Sequence, residues 1–133
     1  MVYQHYASAS SEGSSLHNLL FAEEGWDVVV LQDQSQVPGF PPAASSEKQQ
    51  NLDVMDDFVQ LIETTGARLV LFMTWGRRDG DAMNSWIYPN FSAMQDELAA
   101  GYQAYAEVAN SVAIEPVEVA PVGEGWRAIH DNA

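Results

Sequence analysis

Residues 26–35 have the sequence WDVVVLQDQS, an apolar run with polar residues on both sides. Four apolar residues at positions 28–31, three of them β-branched, are followed at once by polar and acidic ones. Such a run predicts a strand that is buried on both faces, as in a parallel sheet. In open α/β sheets, ligands bind beyond the carboxyl ends of the strands. Gln32, Asp33, Gln34 and Ser35 therefore form a candidate functional edge, with an ordinary polar loop as the alternative.

The rest of the chain alternates between strand and helix signals. A second strand is predicted at residues 68–74, and short strands at residues 2–7 and 112–114. Helices are predicted to start near Ser14, at capping boxes beginning with Ser46 and Ser92, and near Pro121. This alternation predicts one α/β domain over residues 1–133, with helices on both faces of a parallel sheet and right-handed crossovers.

Charge and composition narrow the possible partners. The chain carries 19 acidic residues against 5 basic ones, a formal charge of −14, which argues against nucleic acid and anionic membrane surfaces. Cysteine is absent, so there is no disulfide framework. No apolar run approaches the about 18 residues that span a bilayer, so no membrane insertion is expected. The first residues show no signal peptide.

Common cofactor and nucleophile motifs are missing from the sequence. It contains no Gly-x-Gly-x-x-Gly, no Gly-Lys-Ser/Thr phosphate loop and no Gly-x-Ser-x-Gly elbow. The three histidines are far apart and lack zinc-ligand spacing. Residues 79–81, Asp-Gly-Asp, are a poor fragment of a calcium loop, and a turn paired with Arg77 or Arg78 is the favoured alternative. We therefore expect no cofactor and no metal.

Three segments together resemble the SGNH (GDSL-type) hydrolases. They are residues 26–35, residues 71–77 (LFMTWGR) and residues 121–127 (PVGEGWR), in the family's order and at suitable spacing. The resemblance covers nearly the whole chain. It implies a three-layer α/β/α, flavodoxin-like fold, here with about four parallel strands and flanking helices. It also implies a hydrolase acting on ester bonds of a small-molecule substrate, such as carbohydrate or lipid esters.

The same resemblance implies roles for particular residues. Gly13 matches the glycine of the family's second block, whose backbone N–H faces the oxyanion. Gln34 takes the place of the third-block asparagine, an oxyanion donor, and is one methylene longer. Gln32 replaces the third-block glycine. Ser35 and Trp75 lie at the implied active-site edge. For Gly13 and Gln34, ordinary loop residues are the alternative.

The family's nucleophile and base blocks are absent. No Gly-Asp-Ser or Gly-Asn-Ser occurs, and no aspartate is followed three residues later by histidine. We therefore expect an internal fragment, truncated at both ends, that is inactive by itself. The alternative is a complete chain that serves as a noncatalytic, acidic binding or interaction module on a degenerate SGNH scaffold.

Aromatic residues in and after the loop that follows the second predicted strand suggest one further kind of ligand. Trp75, Trp86 and Tyr88 would suit stacking on a carbohydrate ring, although aromatic residues more often pack in the core or in a lid.

Overall fold

A small parallel sheet lies at the centre of the computed structural model, which describes residues 1–132. Its strands are β1 (Val28–Leu31), β2 (Arg68–Phe72) and β3 (Glu118–Ala120), in the order β1-β2-β3. Val30 is in register with Val70, which is in register with Glu118 on its other side. The predicted α/β class is confirmed, with three strands in the described residues instead of about four.

Within residues 1–132, six helices connect and flank these strands. They are α1 (Val2–Ala9), α2 (Ser15–Leu20), α3 (Ser46–Asp53), α4 (Met55–Glu63), α5 (Phe91–Asn110) and α6 (Val122–His130). Short 3-10 turns cover Val37–Gly39, Pro42–Ala44 and Ala82–Asn84. The predicted starts of α3 and α5 are correct to within two residues. The observed N-caps are Ser45 and Asn90, whose side chains accept backbone N–H groups in the first helical turn.

The hydrophobic core lies on one face of the sheet. Met55, Val59 and Ile62 recur at helical spacing on α4 and are fully buried, as are Leu69 and Leu71 of β2. Alternate residues of a strand point to opposite faces, so these two leucines share the face that α4 covers. Burial of each such side chain stabilises the fold by about 1.5–3 kcal/mol.

The expectation that β1 is buried on both faces is wrong. Leu31 is buried, but Val28 is 37% exposed and Val30 is 58% exposed. The physical reason is that β1 is an edge strand of this sheet and the core helices cover only one of its faces.

The expectation of a strand at residues 2–7 is also wrong, because these residues belong to α1. Val2 and Ala9 are both buried, and Tyr6 packs between them against Phe58 with ring centroids 5.7 Å apart. Spacings of four and seven residues put these three side chains on one helical face. The β-forming residues Val2, Tyr3 and Tyr6 favour a strand, but the apolar helical face packs against α3 and α4 and this packing decides the structure.

The expected strand at residues 112–114 is a turn instead. The backbone N–H groups of Ile114 and Glu115 donate to the Glu63 carboxylate, at 2.8 and 3.1 Å. The strand forms beyond Pro116, because the chain must first cross from the end of α5 back to the sheet. Asn110 fixes this return by bonding both the N–H and the carbonyl of Val117.

Within residues 1–132, no helix combines the length and the apolar character that a bilayer crossing requires.

Candidate functional site

The carboxyl ends of β1 and β2 lie side by side and carry the residues singled out from the sequence. After β1, Gln32 and Gln34 are exposed, Asp33 is buried and Ser35 is half-buried. The Thr74 hydroxyl, beyond β2, donates to the Ser35 carbonyl oxygen at 3.3 Å. The two edge loops therefore form one surface.

A buried polar network supports this surface from below. The Asp33 carboxylate accepts hydrogen bonds from the Asn51 side chain at 2.6 Å and from the Tyr105 hydroxyl at 2.8 Å. The Tyr102 hydroxyl accepts the Asp33 backbone N–H at 3.2 Å. We call these four residues the Asp33 cluster. Through them, β1 is tied to α3 and α5.

Protonation in the Asp33 cluster is set mainly by burial. Burial raises the pKa of Asp33 above its ordinary value, against the opposing effect of hydrogen bonds from Gln34 and Tyr105. Burial also raises the pKa of Tyr105, which therefore keeps its proton and acts as a donor. Within residues 1–132, every buried side-chain nitrogen or oxygen has a hydrogen-bond partner. The cluster is thus fully satisfied.

Hydrogen bonds hold both the backbone and the side chain of Gln34. Its backbone N–H donates to Asp33 Oδ1 at 2.7 Å, and its side-chain Oε1 accepts the Gln36 N–H at 3.1 Å. Because the amide oxygen is engaged, the amide nitrogen is the group that this exposed side chain presents to a ligand. Gln34 is therefore a positioned hydrogen-bond donor at the carboxyl edge of the sheet.

Gly13 lies in the loop between α1 and α2. The first turn of α1 touches the Asp33 cluster, since the Tyr3 N–H donates to Asn51 Oδ1 at 2.9 Å. Gly13 follows the other end of α1, a helix about 12 Å long. The next helix, α2, packs near Trp26, whose indole N–H donates to one of its carbonyls at 2.8 Å. No hydrogen bond among residues 1–132 joins Gly13 to Gln34.

No serine of this surface is paired with a base. His17 bonds the Ala9 carbonyl oxygen at 2.7 Å, and His130 bonds Asp131 at 3.1 Å. In the part of the chain that the structure describes, no hydrogen bond joins a serine hydroxyl to a histidine ring. Ser35 has its carbonyl fixed but lacks the partner that would activate its hydroxyl as a nucleophile.

Trp75 lines a cavity that the sequence did not predict, because its lining residues come from separate segments of the chain. The cavity has a volume of about 380 Å³, and Trp75 lies 5.6 Å from Trp126 between ring centroids. Trp86 is 67% exposed and does not line this cavity. Tyr88 is fully buried, and its hydroxyl donates to the Gln36 carbonyl oxygen at 2.7 Å. The aromatic partner of Trp75 is thus Trp126 of α6.

Residues 79–81 form a turn that is paired with both arginines. Asp81 lies 3.0 Å from Arg77, and Asp79 lies 2.9 Å from Arg78. Asp81 also caps the following 3-10 turn by accepting the Met83 N–H. This is the arrangement that the sequence favoured over a calcium loop.

Gln95 joins three elements at the same edge, and its replacement should be costly. Its Oε1 accepts the Gly76 N–H at 2.9 Å, and its Nε2 lies 3.3 Å from Glu124 of α6. We expect Gln95→Leu to lower the free energy of unfolding by about 2 kcal/mol, because the buried Gly76 N–H loses its acceptor. Urea unfolding followed by circular dichroism measures this loss. Gln103→Leu, on the exposed side of α5, is the control, and an equal loss in both variants would contradict the assigned role.

The fold and the site define an open parallel α/β protein with a candidate site at the carboxyl edge of its sheet. A solved structure from Slackia heliotrinireducens, described as a proposed SGNH hydrolase, is similar to this chain with a TM-score of 0.63. The identity is 22%, over 96% of this chain and 63% of that one. No family model matches the sequence, and none of the curated proteins compared with it matches. The resemblance to the SGNH hydrolases is thus confirmed at the level of the fold.

Proposed function

We propose that this chain forms the oxyanion-binding and substrate-facing wall of an SGNH-type site that hydrolyses esters. The observation that carries the proposal is the geometry of Gln34, a donor with its amide oxygen already bound, at the edge where α/β folds place ligands. The likeness of fold to a proposed SGNH hydrolase supports it.

The chemistry explains why such a donor is useful. Attack on an ester carbonyl produces a tetrahedral oxyanion, and donors that are already in place stabilise it without reorganisation. The bond from Gln36 fixes the side chain of Gln34, and the bond to Asp33 fixes its backbone. Loss of one such donor typically slows acyl transfer by about 10²–10³-fold. The proposal does not require Gly13, which lies at the far end of α1.

The proposal assigns the nucleophilic serine and the Asp–His pair to segments outside these 133 residues. It therefore includes the expectation that the chain alone does not hydrolyse a short-chain aryl ester. Turnover that a serine-directed phosphonate abolishes would contradict this part of the proposal.

Binding tests the role of Gln34 without requiring turnover. The probe is dimethyl methylphosphonate, a neutral compound whose tetrahedral P=O group resembles the oxyanion and which does not phosphonylate serine. In ¹⁵N-labelled protein, we expect the side-chain amide signals of Gln34 to shift on titration. Gln34→Ala should weaken binding about fivefold or more, the effect of losing one hydrogen bond.

Gln32→Ala is the matched control, since Gln32 is also exposed and lies only two residues away. It should leave the affinity for the phosphonate unchanged. Equal effects of the two substitutions, or shifts at Gln32 instead of Gln34, would refute the assignment.

A second candidate function is a noncatalytic, acidic binding module on the same scaffold. It is favoured by the lack of any serine–histidine hydrogen bond within residues 1–132 and by the charge of −14. The gene sequence on either side of this segment discriminates between the two. In-frame Gly-Asp-Ser or Gly-Asn-Ser upstream and Asp-x-x-His downstream support the hydrolase, whereas stop and start signals without these motifs support the binding module.

A further inference from the structure

An open aromatic groove lies between the loop after β2 and helix α6. We call it the tryptophan groove and define it by Trp75, Gly76, Phe91, Trp126, Ile129 and His130. Its volume of about 380 Å³ is within the range of small-ligand sites. His130 stacks on Phe91 at 4.2 Å with the ring planes 10° apart, which closes one side.

We propose that the tryptophan groove binds one neutral sugar ring, as the alcohol part of the ester. The site itself follows from the geometry of the groove alone. Its assignment to the substrate's alcohol part rests on the proposed function.

The indoles are placed to receive a ring. Trp75 is 42% exposed and Trp126 is 45% exposed, and their planes meet at 36°, so the pair offers apolar surface that is open to solvent. A pyranose has one face of C–H groups that packs on an aromatic ring, while its hydroxyls remain free to meet polar groups. His130 and Arg78 also line the groove and offer such polar groups.

The charges around the groove favour a neutral ligand. Arg77 is paired with Asp81 at 3.0 Å, and Arg78 with Asp79 at 2.9 Å. Each cation near the groove therefore already faces a carboxylate. Together with the formal charge of −14, this leaves little attraction for an anion.

The groove is joined to Gln34 by a short chain of hydrogen bonds. Arg77, next to Gly76, donates to Gln36 Oε1 at 3.1 Å, and the Gln36 N–H donates to Gln34 Oε1 at 3.1 Å. The groove and the candidate oxyanion donor thus belong to one connected surface.

Tryptophan fluorescence and ¹⁵N NMR titration with cellobiose test the proposal. We expect saturable binding with a Kd on the order of 1 mM and shifts of the Trp75 and Trp126 indole signals. Trp126→Ala and Trp75→Ala should each weaken binding by about tenfold or more, because each removes one stacking surface. Trp86→Ala, which removes an exposed indole outside the groove, should leave the Kd unchanged.

Further variants separate this inference from other outcomes. Trp126→Phe keeps an aromatic surface and should restore part of the binding. Gln34→Ala should still bind cellobiose, so failure of the oxyanion assignment does not affect this test. Absence of saturable binding, equal effects of Trp126→Ala and Trp86→Ala, or binding of methyl benzoate in place of cellobiose would each overturn the proposal.

Discussion

Replacement of Gly101 with alanine is expected to lower the free energy of unfolding by about 2 kcal/mol or more. In an ordinary helix interior, this change is favourable by about 1 kcal/mol. Here a Cβ atom on Gly101 would collide with the backbone carbonyl group of Pro38. Pro38 is itself buried, so the clash is with backbone and no flexible side chain can yield. Overpacking of this kind costs about 1–3 kcal/mol, and occasionally more.

The affected segment also connects to the candidate site. Pro38 lies in the 3-10 turn Val37–Gly39, just after Gln34 and Gln36. Displacement of this turn should disturb the Gln36 N–H bond to Gln34. We therefore expect Gly101→Ala to weaken binding of the phosphonate probe as well as to lower the Tm by about 5–10 °C.

Gly125→Ala provides the matched control. Gly125 lies inside α6, and a Cβ atom placed there meets nothing within 4 Å. Without a clash, helix propensity dominates, and this variant should gain up to about 1 kcal/mol. Thermal unfolding of both variants measures the contrast. Stabilisation by Gly101→Ala would show that the close approach of Pro38 and α5 is not required.

The strands β1 and β2 could be predicted because each contains a run of at least four apolar residues next to polar ones, and three of the four residues of β1 are β-branched. That signal is local and strong. The strand β3 and helix α1 could not be predicted from the sequence, since both depend on partners that are distant in the chain. Val2 and Ala9 become a helical face only when α3 and α4 are present, and β3 begins only where Asn110 directs the returning chain.

The candidate site was predicted in part for the same reason. Gln34 can be singled out from the sequence because it lies three residues beyond the predicted strand at residues 28–31, and its role as an oxyanion donor stays a prediction. The buried residues that support Gln34 from below could not be predicted, because Asn51 and Tyr105 lie 18 and 72 residues from Asp33 in sequence. A weak signal existed in Asn51, a polar residue four positions before Met55, which would share its face if residues 46–63 formed one continuous helix. The pairing of Trp75 with Trp126 likewise joins residues from separate segments, and no local pattern marks it.

The substitution Asp33→Asn is expected to destabilise the protein by about 2 kcal/mol, and by more in acid than at neutral pH. Asparagine keeps the size of the side chain but replaces one acceptor oxygen with an NH₂ group. The oxygen of Asn51 is already bound by the Tyr3 N–H, so Asn51 cannot turn to accept a hydrogen bond. In one orientation the new NH₂ group would face the Asn51 NH₂ and the Tyr105 hydroxyl, and in the other it would face the Gln34 N–H. Two donors would then meet in a buried site, which costs about 1–3 kcal/mol.

The pH dependence follows from the raised pKa of Asp33. Burial is its largest cause, and it lifts the pKa above the ordinary value of 3.8. The folded protein therefore holds this proton more tightly than the unfolded chain does. The resulting stability is fully present below the unfolded pKa and is lost as pH rises from there through the folded pKa. Asparagine does not titrate, so the penalty of Asp33→Asn should shrink over that window.

Urea unfolding of both proteins at pH about 3, which is below the unfolded pKa, and at pH about 7 measures the difference. Asp27→Asn, which removes an exposed carboxyl group, controls for the change in net charge. Its effect on stability should be small at both pH values. A penalty for Asp33→Asn that is constant or grows with pH would mean that the three hydrogen bonds to this carboxylate outweigh its burial. Asp33 would then support Gln34 as a stabilised anion and not as a group that favours its proton.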